Sequence, residues 1–344
     1  MSSIMNNQAV WITAPKAKPF KVGPGPTPNP GEKEMVIKVA YAAINPSEWK
    51  TQELSIVPID YPHVLGSDVA GEVVQVGSGV TRFKLGERVI GQCLGLVTKK
   101  PTDGGFQLYT TCPEILVAKV PDSLPLASAV VLPLSISTAA TGLFRHLGLQ
   151  FPTLNPKPTG EMILIWGGSS SCGSSAIQLA VAAGYKVITT ASSRNHDYVK
   201  SLGAAYAFDH THPDVVDQII KILSGGKLAG VFDCISEEKT ARACAEILSR
   251  FGGGVLPLLL WAPEGLPSNV KTVMVWGVDP ASNEALGDAI WRKYVPEALA
   301  QGKLQAKPDP VIIEGGLEKV QEGVDLVRKG VSAKKVVVEI SKHI

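Results

Sequence analysis

Two textures of apolar and polar positions divide the chain. Over the first part, short apolar runs are broken by Gly, Pro and Asp clusters, the pattern of a small barrel of strands. Strands are expected at Met35–Ala43, Ala70–Val76, Arg88–Ile90, Phe106–Thr111 and Leu116–Lys119. Around Ala127 the texture changes. Apolar runs at Met162–Trp166, Lys186–Ala191, Ala205–Asp209, Gly230–Cys234, Gly254–Leu260 and Val270–Trp276 then alternate with helical patterns. The helices are expected at Gly173–Ala183, His196–Leu202, Pro213–Leu223 and Glu238–Arg250. Strand and helix alternating at this spacing predict a parallel, doubly wound sheet. A helix at about Asn283–Ala300, a strand Val311–Ile313, a helix near Leu317–Lys329 and a strand Lys335–Ile340 complete an α/β chain.

The most informative stretch is MILIWGGSSSCGSSAIQLAVAAG. An apolar strand ends at Trp166, and the small residues Gly167 to Gly173 follow before an amphipathic helix. Pyrophosphate needs close backbone approach, free N–H groups and a helix N-terminus aimed at its charge. Gly167, Ser169, Ser170, Ser171, Cys172 and Gly173 are therefore cofactor candidates. A strict G-x-G-x-x-G is absent, since Ser170 stands at the middle glycine. Cys172 suits a small spacer better than a nucleophile. The next strand ends in Ser192-Ser193-Arg194-Asn195, where an NAD enzyme would carry Asp or Glu for the ribose hydroxyls. Hydroxyls and a guanidinium suit a 2′-phosphate, so Ser192, Arg194 and Asn195 point to NADPH over NADH.

Composition narrows the classes. The 344 residues suffice for two domains, and 45% hydrophobic residues provide ample core. A net charge of +2 argues against a nucleic-acid or membrane surface. No run is expected to reach the ~20 apolar residues of a membrane helix, and the N-terminal MSSIMNNQAVWITAPKAKP shows no secretory pattern. The five scattered cysteines fit reduced thiols and a cytoplasmic location.

With these pieces placed, the chain resembles the medium-chain dehydrogenase/reductase superfamily along nearly its full length. The resemblance rests on AAINPSEWK (42–50), PHVLGSDVAGEVVQVGSGVTRFKLGERV (62–89), DGGFQLYTT (103–111), AVVLPLSISTAATGLF (129–144), the GGSSSCG turn and KGVSAKKVVVEI at the end. It is strongest to the zinc-independent fungal members, the CipB-like dehydrogenases and trans-acting enoyl reductases, with quinone oxidoreductases more distant. It implies a GroES-like β-rich catalytic domain over 1–128 and 301–344, and a Rossmann domain over 129–300.

Zinc members take a cysteine from the segment matching NPSEWK and a histidine at the position of Ser67. Here Asn45-Pro46-Ser47-Glu48 has no cysteine, and the structural zinc lobe has only Cys93, with Cys112 just after. His63 reads as a packed or surface residue. His210 and His212 alternate and can chelate in principle, but a loop near the adenosine is the better reading. No metal is expected. Reduction of a C=C bond conjugated to a carbonyl suits such a site, because hydrogen-bond donors can stabilise the enolate oxygen.

The resemblance places Pro46, Ser47 and Lys50 beside the nicotinamide ribose. Lys50 is then a catalytic candidate that either orients the ribose or stabilises the enolate. Thr138 is a candidate pocket hydroxyl or a packing group, and Trp49 a pocket wall or a packing residue. Pro257 and Leu258 are placed on the nicotinamide side, Lys334 and Lys335 near the cofactor phosphates, and His210 near the adenosine, where relatives often carry Tyr. The expected function is NADPH-dependent, zinc-independent reduction of an activated C=C bond or a quinone. A trans-acting enoyl reductase on a carrier-bound polyketide and a non-catalytic, crystallin-like NADPH-binding protein are the alternatives. The substrate is a small molecule or an acyl thioester. The strand KTVMVWG (271–277) can pair across a two-fold axis in a homodimer or be an edge covered within a monomer.

Overall fold

The computed structural model describes residues 6–341, so the first residues of the stretch read for a signal lie outside it. The chain forms two compact units, 1–134 with 309–344, and 135–308. The crossings fall a few residues later than the expected 128/129 and 300/301.

The first unit begins with β1 (Gln8–Ile12), β2 (Lys21–Pro24), β3 (Glu34–Ala43), β4 (His63–Val64), β5 (Asp68–Val76), β6 (Arg88–Gln92), β7 (Tyr109–Pro113) and β8 (Val117–Lys119). The second unit holds β9 (Glu161–Trp166), β10 (Lys186–Ala191), β11 (Tyr206–Asp209), β12 (Lys227–Asp233), β13 (Gly254–Leu258) and β14 (Val270–Met274). On its return the chain adds β15 (Pro310–Ile313) and β16 (Lys335–Glu339) to the first unit.

In the first unit, β3 is the hub. It pairs antiparallel with β5, β7 and β16 in a seven-stranded sheet, while β2, β1 and β4 form a smaller one. Ala43 lies opposite both Asp68 and Val337. That register brings three ends together: the exit of β3, the start of β5 and the start of β16. Met35, Ile37, Val39, Val69, Phe106, Val336 and Val338 belong to the core around this sheet. The expected strand at Phe106 begins later, at Tyr109, because Phe106 donates its N–H to Leu65 and accepts from Val10 instead of joining β7.

The helix Pro46–Leu54 was not anticipated, because it has no apolar stripe. Its signal is at its start: Asn45 is the N-cap, Pro46 opens the first turn and Glu48 stands third. It stops at Ser55, whose φ of 52° is left-handed.

The second unit has six parallel strands in the order β11-β10-β9-β12-β13-β14. This is the doubly wound arrangement, whose ligands bind outside the carboxyl ends of the strands. Helices Ser171–Ala182, His196–Ser201, Val215–Leu223 and Glu238–Arg250 connect the strands. β13 ends at Leu258 rather than Leu260, because Leu259 turns its N–H onto the Ser236 hydroxyl at 2.7 Å. The expected helix at Asn283–Ala300 contains a π-helical stretch, Asp288–Tyr294, in which Trp291 donates to Ser137 at 2.9 Å. The expectation about membrane helices needs correction. The helical run Leu126–His146 is long and apolar enough to span, but 83% of its apolar window is buried inside the protein, as in a core helix.

Candidate functional site

Two centres stand out, one in each unit. In the second, β9 ends at Trp166 and the chain turns through Gly167 into the helix Ser171–Ala182. Gly167 has φ +78° and packs on Ile235, and a Cβ on Gly173 would run into the Gly167 carbonyl oxygen. A Cβ on Gly168 would meet the Thr189 hydroxyl and come within 2.8 Å of Ile177 Cδ1. The turn is therefore built from backbone with no room to spare. Ser170 caps the helix by accepting the Gly173 N–H at 3.0 Å. Gly167 donates its N–H to Thr190 Oγ1 at 2.9 Å, which ties the turn to β10. The N–H groups of Ser171 and Cys172 precede any acceptor within the helix, and such groups are donors for an anion. The Ser171 hydroxyl is buried with no hydrogen-bond partner among the described residues. Ser169 is half-buried beside it, and Cys172 is buried as a free thiol, as expected of a spacer.

The neighbouring strand ends form a polar cluster. Asp209, at the end of β11, accepts from the Ser193 hydroxyl at 2.5 Å and from the Thr211 hydroxyl at 2.7 Å. These donors, with Ser193 first, hold its carboxyl well below the usual carboxylate range. Ser192 Oγ lies 3.2 Å from His210 Nε2. Arg194 is exposed, and Asn195 is buried. His212 does not join His210 as a chelating pair, because its Nδ1 accepts the Asp214 N–H at 3.1 Å. Pro257 and Leu258 are buried at the end of β13, where Leu258 pairs with Asp233. Asp233 was missed by sequence reasoning. It accepts the N–H groups of Ile235 and Ser236 at 2.9 Å each, and burial raises its pKa. It thereby shapes the turn against which Gly167 packs.

In the first unit, the two segments where zinc relatives carry ligands meet in a buried polar network. Asn45 Nδ2 donates to Asp68 Oδ2 at 2.9 Å, and the Asn45 N–H donates to Glu48 Oε2 at 2.6 Å. Asp68 Oδ1 accepts the Leu134 N–H at 2.6 Å, in the first turn of the helix Pro133–Ala140. Ser67 Oγ faces Glu48 Oε1 at 3.4 Å. The Lys335 ammonium completes the set, donating to Asn45 Oδ1 and lying 3.0 Å from Asp68 Oδ2. Lys335 is 4% exposed, and Glu48 and Asp68 are fully buried. Burial, with Asp68 nearby, pushes the Glu48 pKa up to about 7.

Lys335 thus corrects an expectation. It turns inward to a carboxylate instead of presenting its ammonium to phosphates. Its neighbour Lys334 is exposed and 3.5 Å from Asp309. Pro46 is exposed, Ser47 and Lys50 are half-buried, and Lys50 Nζ lies 5.6 Å from the centre of the Trp49 ring. The Ser47 hydroxyl is buried without a hydrogen-bond partner. Thr138 is half-buried in the helix Pro133–Ala140. His63 is packed, and burial lowers its pKa. Cys93 Sγ and Cys112 Sγ are 3.5 Å apart as free thiols.

A metal fits this donor set poorly. Among the described residues, no three His, Cys, Asp or Glu side chains are grouped as ligands. Catalytic zinc takes three protein ligands and leaves one position open. Here an amide and a hydroxyl stand beside the carboxylates, and a lysine cation already lies against them.

Comparison with known proteins identifies the family. The model of the alcohol dehydrogenase GroES-like domain matches residues 31–122, and that of the zinc-binding dehydrogenase domain matches 172–279. The chain is 58% identical to a trans-enoyl reductase, himH, of Aspergillus japonicus, over 99% of each chain. It is 38% identical to the zinc-binding alcohol dehydrogenase domain-containing protein cipB of Emericella nidulans, over 99% of this chain and 100% of the other. Among solved structures, an alcohol dehydrogenase superfamily protein from Novosphingobium aromaticivorans superposes with a TM-score of 0.81 at 25% identity, covering 97% of this chain and all of the other.

Proposed function

The chain belongs to the medium-chain dehydrogenase/reductase superfamily, and from that premise we propose that it is an NADPH-dependent, zinc-independent reductase of an activated C=C bond. The contact between Lys335 and Asp68, next to the segments that the resemblance matches to zinc ligands, supports this reading. A site with its own buried cation and no soft ligands suits a reaction that needs no Lewis acid. The dinucleotide, when bound, would supply a hydride to the β-carbon of the acceptor, and a proton from solvent would complete the reduction at the α-carbon.

The protein's own residues do the rest. The turn Gly167–Gly173 binds pyrophosphate through backbone N–H groups and the Ser171 hydroxyl. Ser192 and Arg194, with Asn195 and His210 beside them, bind the 2′-phosphate end. Pro46, Ser47 and Lys50 hold the nicotinamide ribose, Pro257 and Leu258 lie on its ring side, and Lys334 lies near the phosphates. Lys50 and Thr138 are the donors proposed for the developing enolate oxygen, where a hydrogen bond strengthens as charge accumulates.

The relative named trans-enoyl reductase favours an enoyl thioester, free or carrier-bound, over a quinone as the acceptor. The test is consumption of NADPH, with NADH in parallel, against enoyl-pantetheine thioesters, 2-alkenals, enones and quinones. Turnover of the thioesters or enones with NADPH is expected. Tight NADPH binding with no turnover across the panel would overturn the reading in favour of a binding protein.

A further inference from the structure

The buried network contains two carboxylates, Glu48 and Asp68, and one ammonium, Lys335. Lys335 opens β16, Asp68 opens β5, and Asn45 and Glu48 begin the helix Pro46–Leu54. These segments are far apart in sequence, and the Lys335 Nζ is where they are joined. Asn45 is the shared partner. Its side-chain amide is spent on Asp68, its side-chain oxygen on Lys335, and its backbone N–H on Glu48. Asp68 also has both oxygens engaged, one by Leu134 and the other by Asn45 and Lys335. A lysine buried to this extent persists only when paired, since an unpartnered charge there would be costly.

We infer that Lys335 is a positioning residue, a cation tethered to β16 that fastens the start of the helix Pro46–Leu54 and so sets Ser47 and Lys50. The ammonium does for this site what a bound metal does elsewhere, holding ligands from separate segments at fixed positions. The helix is short, has no apolar stripe to orient it, and leaves Leu54 60% exposed. Its polar N-terminus therefore has a large share in deciding where its side chains stand. The inference rests on the cofactor role proposed above for Ser47 and Lys50.

The experiment is a double-mutant cycle in the full chain with Lys335→Met, Asp68→Asn and both together. Thermal unfolding, NADPH binding by fluorescence, and kcat and KM are the readouts. Lys335→Met is expected to lower kcat by roughly tenfold or more, since small misplacements near reacting groups have effects of that size. NADPH affinity should fall less than kcat. The double variant should unfold at a higher temperature than Lys335→Met alone, because removing both partners no longer strands the Asp68 carboxylate without its cation. Should Lys335→Met fail to fold, that recovery in the double variant still reads the coupling, and Lys335→Arg is expected to keep most of the kcat. Additive effects on unfolding would overturn the inference. So would a loss confined to NADPH affinity that Asp68→Asn does not share, which would make Lys335 a phosphate ligand. Unfolding is measured without substrate, so a wild-type protein that binds no NADPH would refute the cofactor reading and leave the coupling readable.

Discussion

The backbone N–H of Asn45 donates to Glu48 Oε2 at 2.6 Å inside a fully buried site, with a second carboxylate, Asp68, beside it. Burial and Asp68 raise the Glu48 pKa from 4.5 to about 7, against the weaker opposing pull of Lys335. The folded protein therefore holds a proton between these values that the unfolded chain has released. Stability from this group is complete below about pH 4.5 and is lost as the pH rises through about 7. Glu48→Gln mimics the protonated form. It is expected to flatten the fall in unfolding temperature across this window and to leave the protein more stable than wild type at pH 8. Unfolding temperatures measured from pH 5 to 8 in both proteins check this, and parallel curves would refute it.

The turn Gly167–Gly173 gives a second prediction. A methyl on Gly173 would strike a backbone oxygen, which cannot rotate away as a side chain can. Gly173→Ala is expected to cost roughly 1–3 kcal/mol, the usual range for an overpacked site, and to weaken NADPH binding. Ser170→Ala removes the cap on Gly173 and should cost about 1 kcal/mol. Denaturant unfolding and NADPH titration of both variants test the pair. Unchanged binding in Gly173→Ala would remove this turn from the cofactor site.

Much of the second unit was legible in the sequence because its order is local. Each strand and helix of a doubly wound sheet carries its own periodicity, so β10 and the helix Glu238–Arg250 fall where the pattern put them. The first unit was harder to read. β1, β2 and β4 are five residues or fewer, β2 carries Gly23 and Pro24, and only their pairing makes them strands. The network was invisible for a related reason. Glu48, Asp68 and Lys335 look like three ordinary charged residues until the register of β3 with β5 and β16 brings them together. Ser67 stands where zinc members carry a histidine, yet beside it Asp68 has both oxygens engaged. The start Asn-Pro-Ser-Glu was the one local signal that could have revealed the helix.

In the proposed function, choice of dinucleotide rests on the strand ends. Ser192 and Arg194 present a hydroxyl and a guanidinium, while the Asp209 carboxylate is occupied by Ser193 and Thr211. Arg194→Glu puts a negative charge where the 2′-phosphate would bind. It is expected to raise the KM for NADPH by roughly tenfold or more, since charge-assisted bonds are the strong ones, and to leave that for NADH nearly unchanged. Asp209→Asn should loosen Ser193 and weaken the discrimination without abolishing binding. Parallel kinetics with the two cofactors measure both effects. An equal loss with NADH and NADPH in Arg194→Glu would show that this arginine does not read the 2′ position.

The donor set of the first unit makes a prediction about metal. Zinc sites in proteins are built from Cys, His and carboxylate ligands with an open position for water or substrate. Asn45 and Ser67 are weak donors in place of a cysteine and a histidine, and Asp68 already accepts two hydrogen bonds and is ion-paired with a lysine. A divalent ion would have to displace that lysine and leave its charge buried beside its own. The purified protein is therefore expected to carry well under one zinc per chain by elemental analysis, and to keep its activity after dialysis against a chelator. Lys335→Ala removes the competing cation and leaves Asp68 and the Asn45 side-chain oxygen facing the space it filled. That variant should be stabilised by added divalent ions when the wild type is not. Stoichiometric zinc in active wild-type protein, with activity lost to the chelator and restored by the metal, would overturn the zinc-free mechanism.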